Sequence, residues 1–258
     1  MLALRQEFPH KNKMSRTGLQ TQSGNVRDKM SEPNATEMPL NQKEKKAVSL
    51  TFKECTLLKL EKNFGLKEMA ESRALQDWLE GTSDISEFEH QTLLNLQRKL
   101  RLNIHDWNET ELGHYFTGPL LTLVDYTTDY FNLFAERPFG GVVEGIEMSG
   151  RPDCIIATGR HEPEKPFFCF QKYKREHNPE GDPAGQALGA MLLAQEINGY
   201  KHPVFGCHVR GRDWFFMILH GKQYCIGEPY IATRDEIFDI FRILKVLKQI
   251  LLKLAVEI

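Results

Sequence analysis

The sequence predicts a mixed α/β fold, a mixed sheet with helices on its faces. Three observations predict it. Leucines recur at helical spacing through residues 50–102. Strand-like pieces take over after a Pro138-Phe139-Gly140-Gly141 loop, and two strongly apolar helical stretches interleave with and follow those strands.

Taken in order, residues 1–49 carry a single aromatic, Phe8, and no sustained apolar period, so they are expected to form a disordered tail. Met30 and Met38 stand within it as alternative starts. Residues 50–106 read as a helical lead-in. Leu57, Leu58 and Leu60 run to an Asn63-Phe64-Gly65 stop, Leu75, Trp78 and Leu79 to Gly81, and a third helix capped at Ser83 carries Ile85, Phe88, Leu93, Leu96 and Leu100.

From residue 107 to 258 an α/β domain is expected. Asn108 followed by Glu111 forms a capping box, and the helix it opens meets Gly118-Pro119, which breaks or kinks it. Residues 120–134 are apolar and of ambiguous type. Val142–Met148 and Pro152–Thr158 flank Ser149-Gly150, which reads as a hairpin turn. An apolar strand from Phe167 runs into Gln171-Lys172-Tyr173-Lys174. Asp182-Pro183 starts a helix stopped by Asn198-Gly199. Three strand pieces follow, Val204–Val209, Trp214–Leu219 and Gln223–Ile226, before a final helix from Asp235 to about Val256. That last helix is broadly apolar, which suits core packing and leaves a homo-oligomeric contact as the alternative.

Composition narrows the function. Over 258 residues, 33 Lys and Arg against 35 Asp and Glu give a net charge of -2, which excludes a uniformly basic nucleic-acid glove but permits a local basic site. No apolar run nears the roughly 18 residues that cross a bilayer, so no membrane partner is expected. Five scattered cysteines without a CxxC pair argue against a disulfide framework or a zinc knuckle and point to a reducing, cytoplasmic setting. Cys169 lies in an apolar run and reads as a small core hydrophobe, and none of the nine histidines has metal-ligand spacing.

One constellation has a chemical purpose. Hydrolysing a phosphodiester calls for carboxylates that hold Mg²⁺ or Mn²⁺ and for a cation that steadies the developing charge. Asp153 beside the expected hairpin, with Lys174 ending the following strand, suits those roles. Ile146 is expected opposite Asp153, with Lys172 and Lys174 sharing one strand face.

Gly150-Arg151-Pro152-Asp153, the hydrophobic strand into Lys172-Tyr173-Lys174, and Gly185-Gln186 opening a helix together resemble the PD-(D/E)XK nuclease superfamily, in an uncharacterised bacterial branch. The resemblance covers roughly residues 107–227. It implies a restriction-endonuclease-like αβββαβ core, a divalent metal ion and nucleic acid, with DNA expected, as the substrate class. It makes Glu111 the helix acid and Asp153 the motif aspartate, both metal ligands, Lys174 the motif lysine, and Gln186 the glutamine of the RecB-type branch.

One departure matters. The motif acid two residues before the lysine is Lys172. An ammonium and a divalent ion about 4 Å apart repel by roughly 8 kcal/mol at an effective dielectric of about 20. Either Lys172 turns outward or loses its proton on burial, or a carboxylate has migrated, Glu144 sharing a face with Asp153, or the metal is lost. In the last case Lys172, Lys174 and Arg175 would hold a nucleic-acid backbone or a protein partner in a catalytically degenerate module. Glu111 also has a purely structural reading, as the second half of the capping box.

Overall fold

The computed structural model describes residues 49–171 and 181–256, with side chains except at 169–171. Of the tail expected over residues 1–49, residues 1–48 lie outside the described residues, as do Lys172, Lys174 and Arg175, and Ser49 opens the first strand. The elements in chain order are β1 (Ser49–Thr51), α1 (Leu57–Phe64), β2 (Lys67–Glu68), α2 (Arg73–Leu79), α3 (Glu87–Asn103), α4 (Glu109–Leu112) and α5 (Gly118–Val124). There follow β3 (Asn132–Ala135), β4 (Phe139–Val143), β5 (Ile146–Gly150), β6 (Cys154–Ala157), β7 (Pro166–Gln171) and α6 (Pro183–Ile197). The chain closes with β8 (Val204–Arg210), β9 (Asp213–His220), β10 (Gln223–Ile226), β11 (Tyr230–Ile231) and α7 (Glu236–Val256).

A large mixed sheet runs in the order β2-β10-β9-β8-β7-β6-β3, with β11 paired to β9. Within it β3, β6 and β7 are successively antiparallel, β7 and β8 are parallel, and α6 makes the crossover that parallel pairing requires. Period-two alternation gives the central strands β8 and β9 two buried faces. Phe205, Cys207 and Val209 face one core with Phe216 and Ile218, while Val204, Met217 and Leu219 face the other. Helices α2, α3, α5 and α7 cover the first face. Helices α1 and α6 and a small sheet, ordered β1-β5-β4, cover the second. The protein is therefore a mixed α/β structure with helices on both faces of its sheet. Among the described residues no helix is long and apolar enough to cross a membrane.

The segment 50–106 does more than lead in. It contributes β1, parallel to β5, and β2, parallel to β10, one edge to each sheet. Its helices obey local rules: Thr56 caps α1, which ends on Gly65 in the left-handed region. Helix α3 is capped by Ser86 rather than Ser83, because Glu89 returns to the Ser86 backbone and completes a capping box. Pro119 is accommodated by a widened π turn over Gly113–Thr117, in which the Gly118 amide reaches back to the Gly113 carbonyl. The wider turn carries the helix past a residue that cannot donate.

The expected hairpin is shifted. The turn lies at Glu144-Gly145, both with positive φ, between β4 and β5. Ile146 consequently pairs with Val143 and not with Asp153. Ser149-Gly150 sits inside β5, and a Cβ on Gly150 would lie 2.4 Å from the Phe52 ring, so this glycine serves close packing.

The apolar breadth of α7 is absorbed within the chain. Ile237, Ile240, Phe241, Ile243, Leu244, Leu247 and Leu251 are buried, and its carbonyls at Ile243 and Leu244 accept from the Trp78 indole and the Tyr126 hydroxyl. The breadth that suggested an oligomeric contact is explained by this packing.

Candidate functional site

Asp153 stands where the two sheets part. Strand β5 ends at Gly150 in the small sheet, Arg151 and Pro152 turn the chain, and β6 begins at Cys154 in the large one. The Glu136 amide donates to the Asp153 carbonyl at 3.0 Å, extending the β3–β6 pairing by one residue. Asp153 is 9% exposed. It lines a cleft of about 440 Å³ together with Thr51, Lys53, Glu136, Arg151 and Gln186.

Helix α6 brings Gln186 there. Asp182 caps it by accepting from the Gly185 amide, and Gln186 follows in the first turn. Its amide nitrogen lies 2.6 Å from where a Cβ on Gly181 would stand, and Gly181 has φ +100°. Gly181 is thus required twice, for its conformation and for the space the Gln186 amide occupies. The other Asp182 oxygen accepts from the Leu57 amide at 2.9 Å, so the lead-in is pinned beside the cleft.

The structure brings Asp153 and Gln186 together; Glu111 and Glu144 are placed elsewhere. Glu111 accepts from the Asn108 amide at 2.8 Å and does not line the cleft. Its helical neighbours Thr110, His114 and Thr117 do line a second cleft of about 200 Å³, which shares Asp153 and Glu136 with the first. Glu144 sits at the β4–β5 turn in an ion pair with Lys222. It does not share a strand face with Asp153, because the residue expected on its partner strand belongs to the neighbouring sheet. Lys172, Lys174 and Arg175 lie outside the described residues.

Three residues of the cleft escaped the sequence reading. Lys53 and Arg151 are exposed charges on its wall, and in the chain they look like ordinary solvated residues. Glu136 follows β3 with φ +50°, and only the β3–β6 pairing, formed across an intervening hairpin, places it opposite Asp153. Near the start of α6, His208 is buried, stacked on Phe215 at 4.6 Å, and its Nδ1 has no hydrogen-bond partner. Burial pushes its pKa down to about 4, against the opposing field of Asp182.

The donor chemistry can be tested against a divalent ion. Among the described residues no group of three or more His, Cys, Asp and Glu could hold a metal. Magnesium, however, is held by one or two carboxylates together with substrate phosphates and waters. The two carboxylate residues of this cleft, Asp153 and Glu136, supply hard oxygen donors of that kind and fit Mg²⁺ or Mn²⁺. The cleft is not lined by the imidazoles or thiols that zinc prefers. Neither the known family models nor the curated proteins contain a match to this chain.

Proposed function

We propose that the chain is a restriction-endonuclease-like protein that hydrolyses DNA phosphodiester bonds with Mg²⁺ or Mn²⁺ at the Asp153 cleft. The observation that carries the reading is the meeting of Asp153 and Gln186, far apart in sequence, on one cleft wall. The order of elements supports it: α5, β3, β6, β7, α6 and β8 follow the αβββαβ plan, with the β4–β5 hairpin as an insertion.

Asp153 would hold the ion, which when bound supplies an activated water and neutralises charge on the phosphate. The chain's own groups do the rest. Gln186 offers an amide donor to a phosphate oxygen, and Lys53 and Arg151 attract and orient the backbone from the cleft wall. Lys174, by its place in the motif, is the transition-state cation.

A second reading has its own support. Lys172 stands at the motif-acid position and Lys53 and Arg151 flank the cleft, which suits a metal-free module that grips a nucleic-acid backbone. One experiment separates the two. Labelled DNA is incubated with the full chain, with and without Mn²⁺, beside the Asp153→Asn and Lys174→Ala variants. Cleavage that needs Mn²⁺ and is lost in both variants supports the enzyme. Salt-sensitive retention of uncut DNA, independent of Mn²⁺, supports the binding module.

A further inference from the structure

We propose that Glu136 supplies the second carboxylate of the divalent-cation site, replacing the acid that Lys172 displaces from the motif; the inference rests on the nuclease reading above. Asp153 and Glu136 are adjacent across the β3–β6 ladder, fixed by the 3.0 Å bond from the Glu136 amide to the Asp153 carbonyl. They are also the two residues common to both clefts, so they form the wall between them. Among the described residues the Glu136 carboxylate makes no hydrogen bond or ion pair, while its neighbour Arg137 pairs with Glu162 at 3.4 Å.

A separate observation points to a ligand at that wall. Thr117 lines the smaller cleft, is 2% exposed, and its hydroxyl has no hydrogen-bond partner. A buried hydroxyl left in this way carries an uncompensated desolvation penalty unless something in the cleft satisfies it. A water bound to a cation between Asp153 and Glu136 would do so, and the two carboxylates with the Thr110 and Thr117 hydroxyls supply oxygen donors suited to a hard ion; His114 and Cys154 also line this cleft, the His114 Nδ1 standing 2.8 Å from the Thr110 carbonyl. The other acids considered line neither cleft. Glu111 accepts from the Asn108 amide, and Glu144 pairs with Lys222.

Glu136 adopts φ +50°, a region in which Asn is well tolerated, so Glu136→Asn removes the carboxylate without opposing the backbone. The test is calorimetric titration of the full chain with MnCl₂ in the absence of nucleic acid, with free Mn²⁺ followed by electron paramagnetic resonance. Circular dichroism confirms that each variant is folded. The proposal expects one Mn²⁺ site in the wild type, abolished by Asp153→Asn, weakened about tenfold or more by both Glu136→Asn and Glu136→Gln, and unchanged by Glu111→Gln. A site lost in Asp153→Asn but intact in the Glu136 variants overturns this inference and leaves the nuclease reading standing. A wild type that binds no Mn²⁺ overturns both. Loss in Glu111→Gln alone moves the second ligand to α4 and likewise overturns the inference.

Discussion

The carboxylate of Asp182 accepts from the Leu57 amide at 2.9 Å across 125 residues of sequence, while its other oxygen caps α6 through the Gly185 amide at 3.0 Å. One side chain thus terminates two helices and joins the lead-in to the element that carries Gln186. Removing it strands two amide donors in a half-buried setting. Asp182→Ala is expected to cost about 1–3 kcal/mol, and Asp182→Asn less, because one acceptor remains. Urea unfolding of the three proteins measures the difference; equal midpoints for wild type and Asp182→Ala would show that neither cap matters.

The same contact region predicts an inversion of helix propensity. Ala ordinarily stabilises a helix interior over Gly by about 1 kcal/mol. A Cβ on Gly185, however, would lie 2.5 Å from the Thr56 Cα, and one on Gly189 2.7 Å from the Cys55 sulfur. Gly185→Ala is therefore expected to destabilise by about 1–3 kcal/mol, since it meets backbone. Gly189→Ala, which meets a side chain, should cost less. The order of their melting temperatures checks this.

A buried neutral imidazole makes stability depend on pH. The His208 pKa falls to about 4 in the folded protein, while an unfolded histidine titrates near 6.5. Between these values the unfolded chain binds the extra proton, so stability rises with pH across that window and is lost as pH falls through it. From pH 7 to pH 5 the loss attributable to His208 is about 2 kcal/mol. His208→Phe, which keeps an aromatic ring against Phe215, should flatten that part of the profile. Denaturant midpoints at pH 5, 6 and 7 for both proteins provide the comparison.

The cleft cations predict a graded effect on nucleic-acid affinity. Lys53→Ala and Arg151→Ala should each weaken DNA binding at low salt by a similar factor across sequences and reduce the salt slope by about one. Fluorescence anisotropy over a range of salt concentrations measures both quantities. An unchanged slope in either variant would place the backbone path away from this wall.

Where the determinants were local, the sequence displayed them. Asp182-Pro183 and Asn198-Gly199 bound α6 as their capping chemistry requires, and the Asn108–Glu111 capping box opens α4. Asp153 and Gln186, which the resemblance singled out, line one cleft, one just before the start of β6 and the other in the first turn of α6. The hairpin was misplaced for a physical reason. Glu144 takes a left-handed conformation that its residue type does not advertise, while Gly150, which looked like a turn, makes room for the Phe52 ring. Residues 120–134 were ambiguous because they hold two elements, the end of α5 at Val124 and strand β3 from Asn132, separated by Asp125 at φ +58°. Glu136 was invisible because its pairing with Asp153 forms only after the β4–β5 hairpin leaves the main sheet.

The most direct test of the central claim, that the Asp153 cleft is a cation-dependent phosphodiester site, is anomalous diffraction from crystals of the full chain soaked in Mn²⁺. A single strong peak within bonding distance of Asp153 carboxylate oxygen is the predicted result. Saturating Mn²⁺ that leaves this cleft without a peak would contradict the account.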